Sequence, residues 1–216
     1  VEGLENIPKD GKFLIVSNHP MGAADAIALY HQIYPVRNDL FFFANELFVY
    51  LLGAFHELLA PVVWNKEKET HSANKVTLER LSVFFGDDRP GIIFPSGRLS
   101  KLTFLGLWDR PWEKTPIALA KKYNFPLIPV YVEGRNSWFF YFASYVNKQL
   151  RDISQLNELF NKRGEEISIK IGKPVNVSTL NDNTDIAIGQ MRYRSESLRK
   201  KSVLKLNRFL YLRNYK

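Results

Sequence analysis

The sequence predicts an α/β fold: a mainly parallel sheet flanked by helices, in one domain spanning residues 1–216. Three observations predict it. Short apolar runs recur along the chain, amphipathic helical patterns lie between them, and turn-forming residues fall at the joints. Strand signals stand at 12–16, 61–64, 91–94, 127–132 and 167–171, with helical patterns at 23–33, 46–59, 72–85, 116–123 and 153–160. Such alternation implies parallel pairing, because each crossover helix returns the chain to the same end of the sheet. Breakers at Pro35, at Gly86-Asp87-Asp88-Arg89-Pro90-Gly91 and at Asn181-Asp182-Asn183 separate the elements. No internal repeat, low-complexity tract or linker intervenes.

The first unit is FLIVSNHPMGAADAIA, residues 13–28. Four apolar residues read as a buried strand, and Ser17-Asn18-His19-Pro20 ends it. Ala24, Ile27, Ala28 and Leu29 then open a helical pattern that carries Asp25. A strand-to-helix turn with His19 at its tip suits a general base, and the helix N-terminus welcomes negative charge. A capping or purely structural histidine fits the same residues.

The apolar stretch 40–64, rich in Phe41, Phe42, Phe43, Phe48, Tyr50 and Phe55, reads as a core helix or as a membrane-dipping face. Asn45, Glu46, His56 and Glu57 interrupt it, so it falls short of the roughly 18 uninterrupted apolar residues that a membrane span needs. Next, IIFPSGRLSK (residues 92–101) runs a strand into a glycine-containing loop with Ser96, Gly97, Arg98, Ser100 and Lys101. Its amides and guanidinium could hold a phosphate or carboxylate, and it could equally be a plain turn with solvated charges. The third strand-to-loop passage, PLIPVYVEGRNS (residues 126–137), places Glu133, Arg135 and Asn136 at a carboxyl strand end, where open α/β sheets bind ligands.

Charge is unevenly placed. Residues 184–216 hold nine Lys/Arg against two acidic residues, which is +7 of the chain's net +8. Val203, Leu204, Leu206, Leu210 and Tyr211 recur at helical spacing among Arg199, Lys200, Lys201, Lys205 and Arg208, describing a basic amphipathic C-terminal helix. Such a helix suits a phosphate-bearing surface, whether lipid or nucleic acid, or simple packing of its apolar side on the body. With no cysteine among the 216 residues, disulfides, thiolate catalysis and cysteine-ligated zinc are excluded. His19, His31, His56 and His71 show no metal-ligand spacing, so no metal is expected. The chain opens on Val1 without an initiator methionine, and the natural chain is expected to extend further at that end.

Taken together, NHP-x-G-x-x-D, FPSGRLS and LIPVYVEGRNS resemble the glycerolipid acyltransferase superfamily. The longer His-to-Asp spacing is similar to the branch of bacterial ornithine-lipid and glycine-lipid N-acyltransferases and hemolysin-like acyltransferases. Gly3-Leu4-Glu5-Asn6-Ile7-Pro8, Pro61-Val62-Val63, Asp109-x-Pro111-Trp112 and Ile169-x-Ile171-Gly172-Lys173-Pro174 extend the match over residues 3–200. The phospholipid enzymes usually space His and Asp by four residues and read FPEGTRS. Here five residues intervene, Ala24 stands at the usual aspartate's place, and Ser96 replaces the glutamate.

The resemblance implies a glycerol-3-phosphate acyltransferase-like fold and an acyl transfer to the hydroxyl or amine of a membrane lipid precursor. His19, held by Asp25, would be the general base, with no acyl-enzyme. Asn18, Gly22, Ser96, Gly97, Arg98, Ser100, Glu133, Arg135 and Asn136 would bind substrate. It further implies no cofactor beyond an acyl carrier protein or coenzyme A thioester as co-substrate. The enzyme would lie on the cytoplasmic inner face of the membrane and bind no nucleic acid. Alternatives are a 1-acylglycerol-3-phosphate O-acyltransferase and a non-catalytic lipid-binding scaffold of the same fold.

Overall fold

The computed structural model describes residues 1–45, 53–62, 71–103, 106–146 and 148–199. Six strands form one sheet: β1 (Leu14–Ser17), β2 (Phe41–Asn45), β3 (Leu59–Val62), β4 (Gly91–Ile93), β7 (Leu127–Glu133) and β8 (Ser168–Ile171). Their order is β3-β2-β4-β1-β7-β8. Every pairing is parallel except β7 with β8. A separate hairpin, β5 (Lys101–Thr103) with β6 (Gly106–Trp108), follows β4. The helices are α1 (Ala23–Ile33), α2 (His71–Gly86), α3 (Thr115–Tyr123), α4 (Trp138–Val146), α5 (Lys148–Asn161) and α6 (Thr184–Ser197).

Two apolar clusters lie on the two faces of the sheet, as strand alternation requires. Leu14, Val16, Phe41, Phe43 and Ile93 pack with residues of α2, α3 and α6, such as Phe85, Ile117 and Met191. Phe13, Ile15, Ile92, Ile128 and Val130 pack on the other side with Leu29 and Ile33 of α1. β1 is therefore buried on both faces and flanked by a strand on either side. That is why its sequence is a continuous apolar run rather than an alternating one.

The mainly parallel α/β sheet matches the expected fold class. The stretch 40–64 departs from its expectation as a core helix. Phe41–Asn45 is strand β2, with Phe41 and Phe43 in one cluster and Phe42 packed against the other. Three successive aromatics suit a strand covered on both faces, a pattern that periodicity alone cannot separate from a buried helix. Residues 46–52 of the expected helix 46–59 lie outside the described residues. Gly53–Leu58 is a 3₁₀ turn, and Leu59 already begins β3, two residues ahead of its expected start.

The hairpin β5–β6 and helix α4 have no counterpart in the expected elements. Three-residue strands are too short to show a period, and WFFYFASYV is apolar all round. Of the expected basic segment 184–216, the first part is α6, which buries Ala187, Ile188 and Met191. The amphipathic pattern of 203–211 lies outside the described residues. No helix among the described residues is long and apolar enough to cross a membrane.

Phe41 is fully buried, against Phe84 and Phe85 at ring-centroid distances of 4.6 and 5.3 Å. Phe41→Ala should therefore cost about 3–5 kcal/mol, as truncating a core aromatic does. Equilibrium urea unfolding would measure the loss, and a cost below about 1 kcal/mol would contradict the packing described.

Candidate active site

The carboxyl ends of β1, β4 and β7 are adjacent in the sheet, so the three loops singled out by sequence meet there. Backbone and side-chain bonds tie them together. Ser100 N–H donates to the His19 carbonyl at 2.8 Å, joining the β4 loop to the β1 turn. The Asn18 amide pairs both ways with β7, donating to Val132 O at 2.8 Å and accepting from Val132 N–H at 2.7 Å. Gly134 lies so close to Met21 that a Cβ there would stand 2.3 Å from its Sδ, which brings the β7 loop down on the turn.

His19 leaves β1 with its ring stacked on Phe94, centroids 4.1 Å apart and planes inclined by 23°. Its Nδ1 stands 3.0 Å from Asp25 Oδ2. The distance is within ion-pair reach, and the contact lies outside hydrogen-bond alignment. Asp25 is fully buried as the third residue of α1. Its Oδ2 also accepts from Met21 N–H and Gly22 N–H, each at 2.9 Å, in the manner of the acidic half of a capping box. Gly22 takes φ +82, in the region that favours glycine, and lets the turn fold back on its own helix.

A second carboxylate, Asp109, organises the opposite side of the turn. Its Oδ1 accepts from His19 N–H at 3.3 Å and from Ser100 Oγ at 2.8 Å, and its Oδ2 accepts from Trp112 Nε1 at 2.7 Å. Arg192 of α6 donates to the Asp109 carbonyl at 2.7 Å and pairs with Glu196 at 2.9 Å. Burial pushes the Asp109 carboxyl above the ordinary range, against the pull of Trp112, Ser100, His19 and Arg192. Burial likewise raises Glu196 and pushes Tyr131 up to about 12. Sequence reasoning took Asp109 and Trp112 only as supporting pieces of a resemblance, and it passed over Arg192, Glu196 and Tyr131. The Asp-x-Pro-Trp spacing was the available signal for Asp109; the α6 residues offered none.

A cavity of about 80 Å³ borders the turn, lined by Pro20, Ser100, Tyr131, Glu133, Glu196 and Arg199 among others. It is too small to enclose a fatty chain. Of the expected binding residues, Asn18 and Ser100 have their side chains engaged as described, and Ser96 Oγ donates to the Arg98 carbonyl at 2.8 Å. Gly97 shapes the β4 turn at φ +58, while Arg98 and Lys101 are exposed. Glu133 lines the cavity, and exposed Arg135 lies over the Trp138 ring. Asn136 is 3% exposed, with neither side-chain polar atom hydrogen-bonded. No group of three or more His, Asp or Glu among the described residues could hold a metal ion.

A carboxyl raised by burial favours the folded state most below its unfolded value, and that advantage is lost as pH rises through the folded value. Asp109→Asn removes the buried charge. The stability difference, variant minus native, should therefore move in the variant's favour as pH climbs from the ordinary value of 3.8. Urea unfolding across a pH series would measure it, and a flat difference would refute the burial of an ionised Asp109.

The acyltransferase family model matches residues 1–210. A lyso-glycine lipid O-acyltransferase of Phocaeicola vulgatus is 31% identical over 182 residues, covering 81% of this chain and 63% of that protein. One of Bacteroides thetaiotaomicron is 32% identical, covering 81% and 65%. The chain thus spans just under two thirds of the length of these relatives. The crystal structure of the 1-acyl-sn-glycerophosphate (LPA) acyltransferase PlsC from Thermotoga maritima aligns with a TM-score of 0.52 at 20% identity, covering 95% of this chain and 70% of that one. That likeness concerns the fold. With its three motif loops gathered at the carboxyl end of a parallel sheet, the chain belongs to the acyltransferase family.

Proposed function

We propose that the protein transfers a fatty acyl group from a thioester to the hydroxyl of a lyso-lipid, with His19 as general base. The single observation that carries this is the His19–Asp25 contact at the tip of β1, with Asp25 Oδ2 also fixed by two backbone N–H groups. A carboxylate at Nδ1 favours the tautomer with hydrogen there, leaving Nε2 free to accept a proton. In the step proposed, Nε2 takes the acceptor's hydroxyl proton while the oxygen attacks the thioester carbonyl. The carbon–sulfur bond breaks, and the departing thiolate is protonated by the imidazolium. Asp25 supports the imidazolium without itself being protonated, and no acyl-enzyme forms.

The acceptor is taken to be a lyso-glycine lipid because both relatives are named for that substrate. Asn136 suits a role in binding it, since a buried amide without partners is costly unless a ligand or water completes it. The donor is an acyl carrier protein or coenzyme A thioester, and the enzyme works peripherally at the membrane's inner face, where such an acceptor lies. The cations Arg98 and Arg135, exposed on the loops that follow β4 and β7, would meet the acceptor's anionic group.

The test is incubation with both thioesters against lyso-glycine lipid, lyso-ornithine lipid and lysophosphatidate, read by mass spectrometry. Acylation of lyso-glycine lipid is expected, and His19→Ala should lower turnover by about 10²–10⁴-fold, the usual contribution of a positioned base. Thioester left intact with all three acceptors, or a His19→Ala protein of undiminished rate, would overturn the proposal.

A further inference from the structure

Helix α4 carries a face that the chemistry above does not use. Trp138, Phe139, Phe142 and Val146 are 70, 66, 67 and 58% exposed. At helical pitch these four positions fall within an arc of about 100°, while Phe140 points away from it and Ala143 lies at its flank, both buried. The exposed aromatics therefore form one stripe. Single exposed apolar residues are ordinary, but a contiguous stripe of three aromatics marks a docking surface.

The flanking sequence indicates what docks. From Gly134 to Arg151 the charged residues are Arg135, Lys148 and Arg151, all cationic, with no acid between Glu133 and Asp152. The Arg135 guanidinium lies 5.9 Å from the Trp138 ring centroid, at the start of the stripe. Aromatic rings beside cations match the boundary of an anionic bilayer, where rings settle at headgroup level and Lys and Arg meet lipid phosphates.

Geometry fixes where the face sits. α4 starts five residues after Glu133, the last residue of β7 and part of the cavity lining. Ser137, just ahead of the helix, donates through its backbone N–H and its hydroxyl to the buried Glu158 of α5. The helix entrance is thus pinned to the body at the same end of the sheet as His19.

We infer that α4 is the protein's lipid-docking surface: Trp138, Phe139 and Phe142 enter the headgroup boundary of an anionic bilayer and bring the sheet end that carries His19 to the membrane. This rests on the lipid-facing part of the proposed function and not on its chemistry. Binding is therefore measured without turnover. A protein that docks but does not acylate would refute the acyl-transfer reading and leave this surface standing.

The experiment is flotation of the full chain with phosphatidylcholine vesicles containing about a third phosphatidylglycerol, beside vesicles of phosphatidylcholine alone. It is run at about 0.15 M and about 1 M salt, where screening lengths are about 8 and 3 Å. The native protein should float with anionic vesicles and keep a salt-resistant fraction. The combined variant Trp138→Ser, Phe139→Ser, Phe142→Ser should lose that fraction and partition about tenfold less at low salt. Circular dichroism and melting temperature should match native, because these side chains are exposed. Partitioning of the variant equal to native, no vesicle binding by native protein, or a native dimer that the substitutions turn into a monomer would each overturn the inference.

Discussion

One carboxylate oxygen holds the candidate site together. Asp25 Oδ2 meets the His19 imidazole and accepts two backbone N–H groups of its own turn, and it does so with the side chain fully buried. A bare carboxylate in that position would be costly to desolvate. Two N–H donors, the positive end of α1 and a neighbouring imidazole offset the cost together. The arrangement also removes freedom from the imidazole: the ring is stacked on Phe94 on one face and faced by the fixed Asp25 carboxylate at Nδ1. What remains adjustable is the last alignment of that contact, which a bound acceptor can complete.

Asp109 does the complementary work from outside the turn. It gathers donors from His19, Ser100 and Trp112, which belong to three separate segments, and Arg192 clamps its carbonyl from α6. The β4 loop is thereby tied to the turn that carries His19. Two of its hydroxyls, on Ser96 and Ser100, are turned toward protein partners. Arg98, by contrast, remains exposed on that loop.

How much of this could be read from the residues follows from the range of the interactions. The strand-to-helix turn 13–28 was legible because its signals are local: an apolar run, a break, and a helix with an acid in its first turn. The parallel direction of the central strands followed from alternation, and their order did not. The ring of donors around Asp109 was not legible, since its partners lie up to 90 positions away and only the folded sheet brings them together. Phe41–Asn45 misled for the opposite reason. Its residues satisfy a two-faced strand and a buried helix equally well, and only its neighbours β3 and β4 decide between them.

Unfinished polar bonding at the strand ends separates function from stability. Asp25 Oδ1 and both polar atoms of the Asn136 side chain are buried without hydrogen-bond partners. Each such group costs about 1–3 kcal/mol. Asn18, by contrast, is closed on Val132, and Ser137 on Glu158. The neighbouring side chains show that these loops can satisfy their polar groups where nothing else is required. Under the function proposed above, a bound acceptor would supply the partners that the Asn136 amide lacks within the protein.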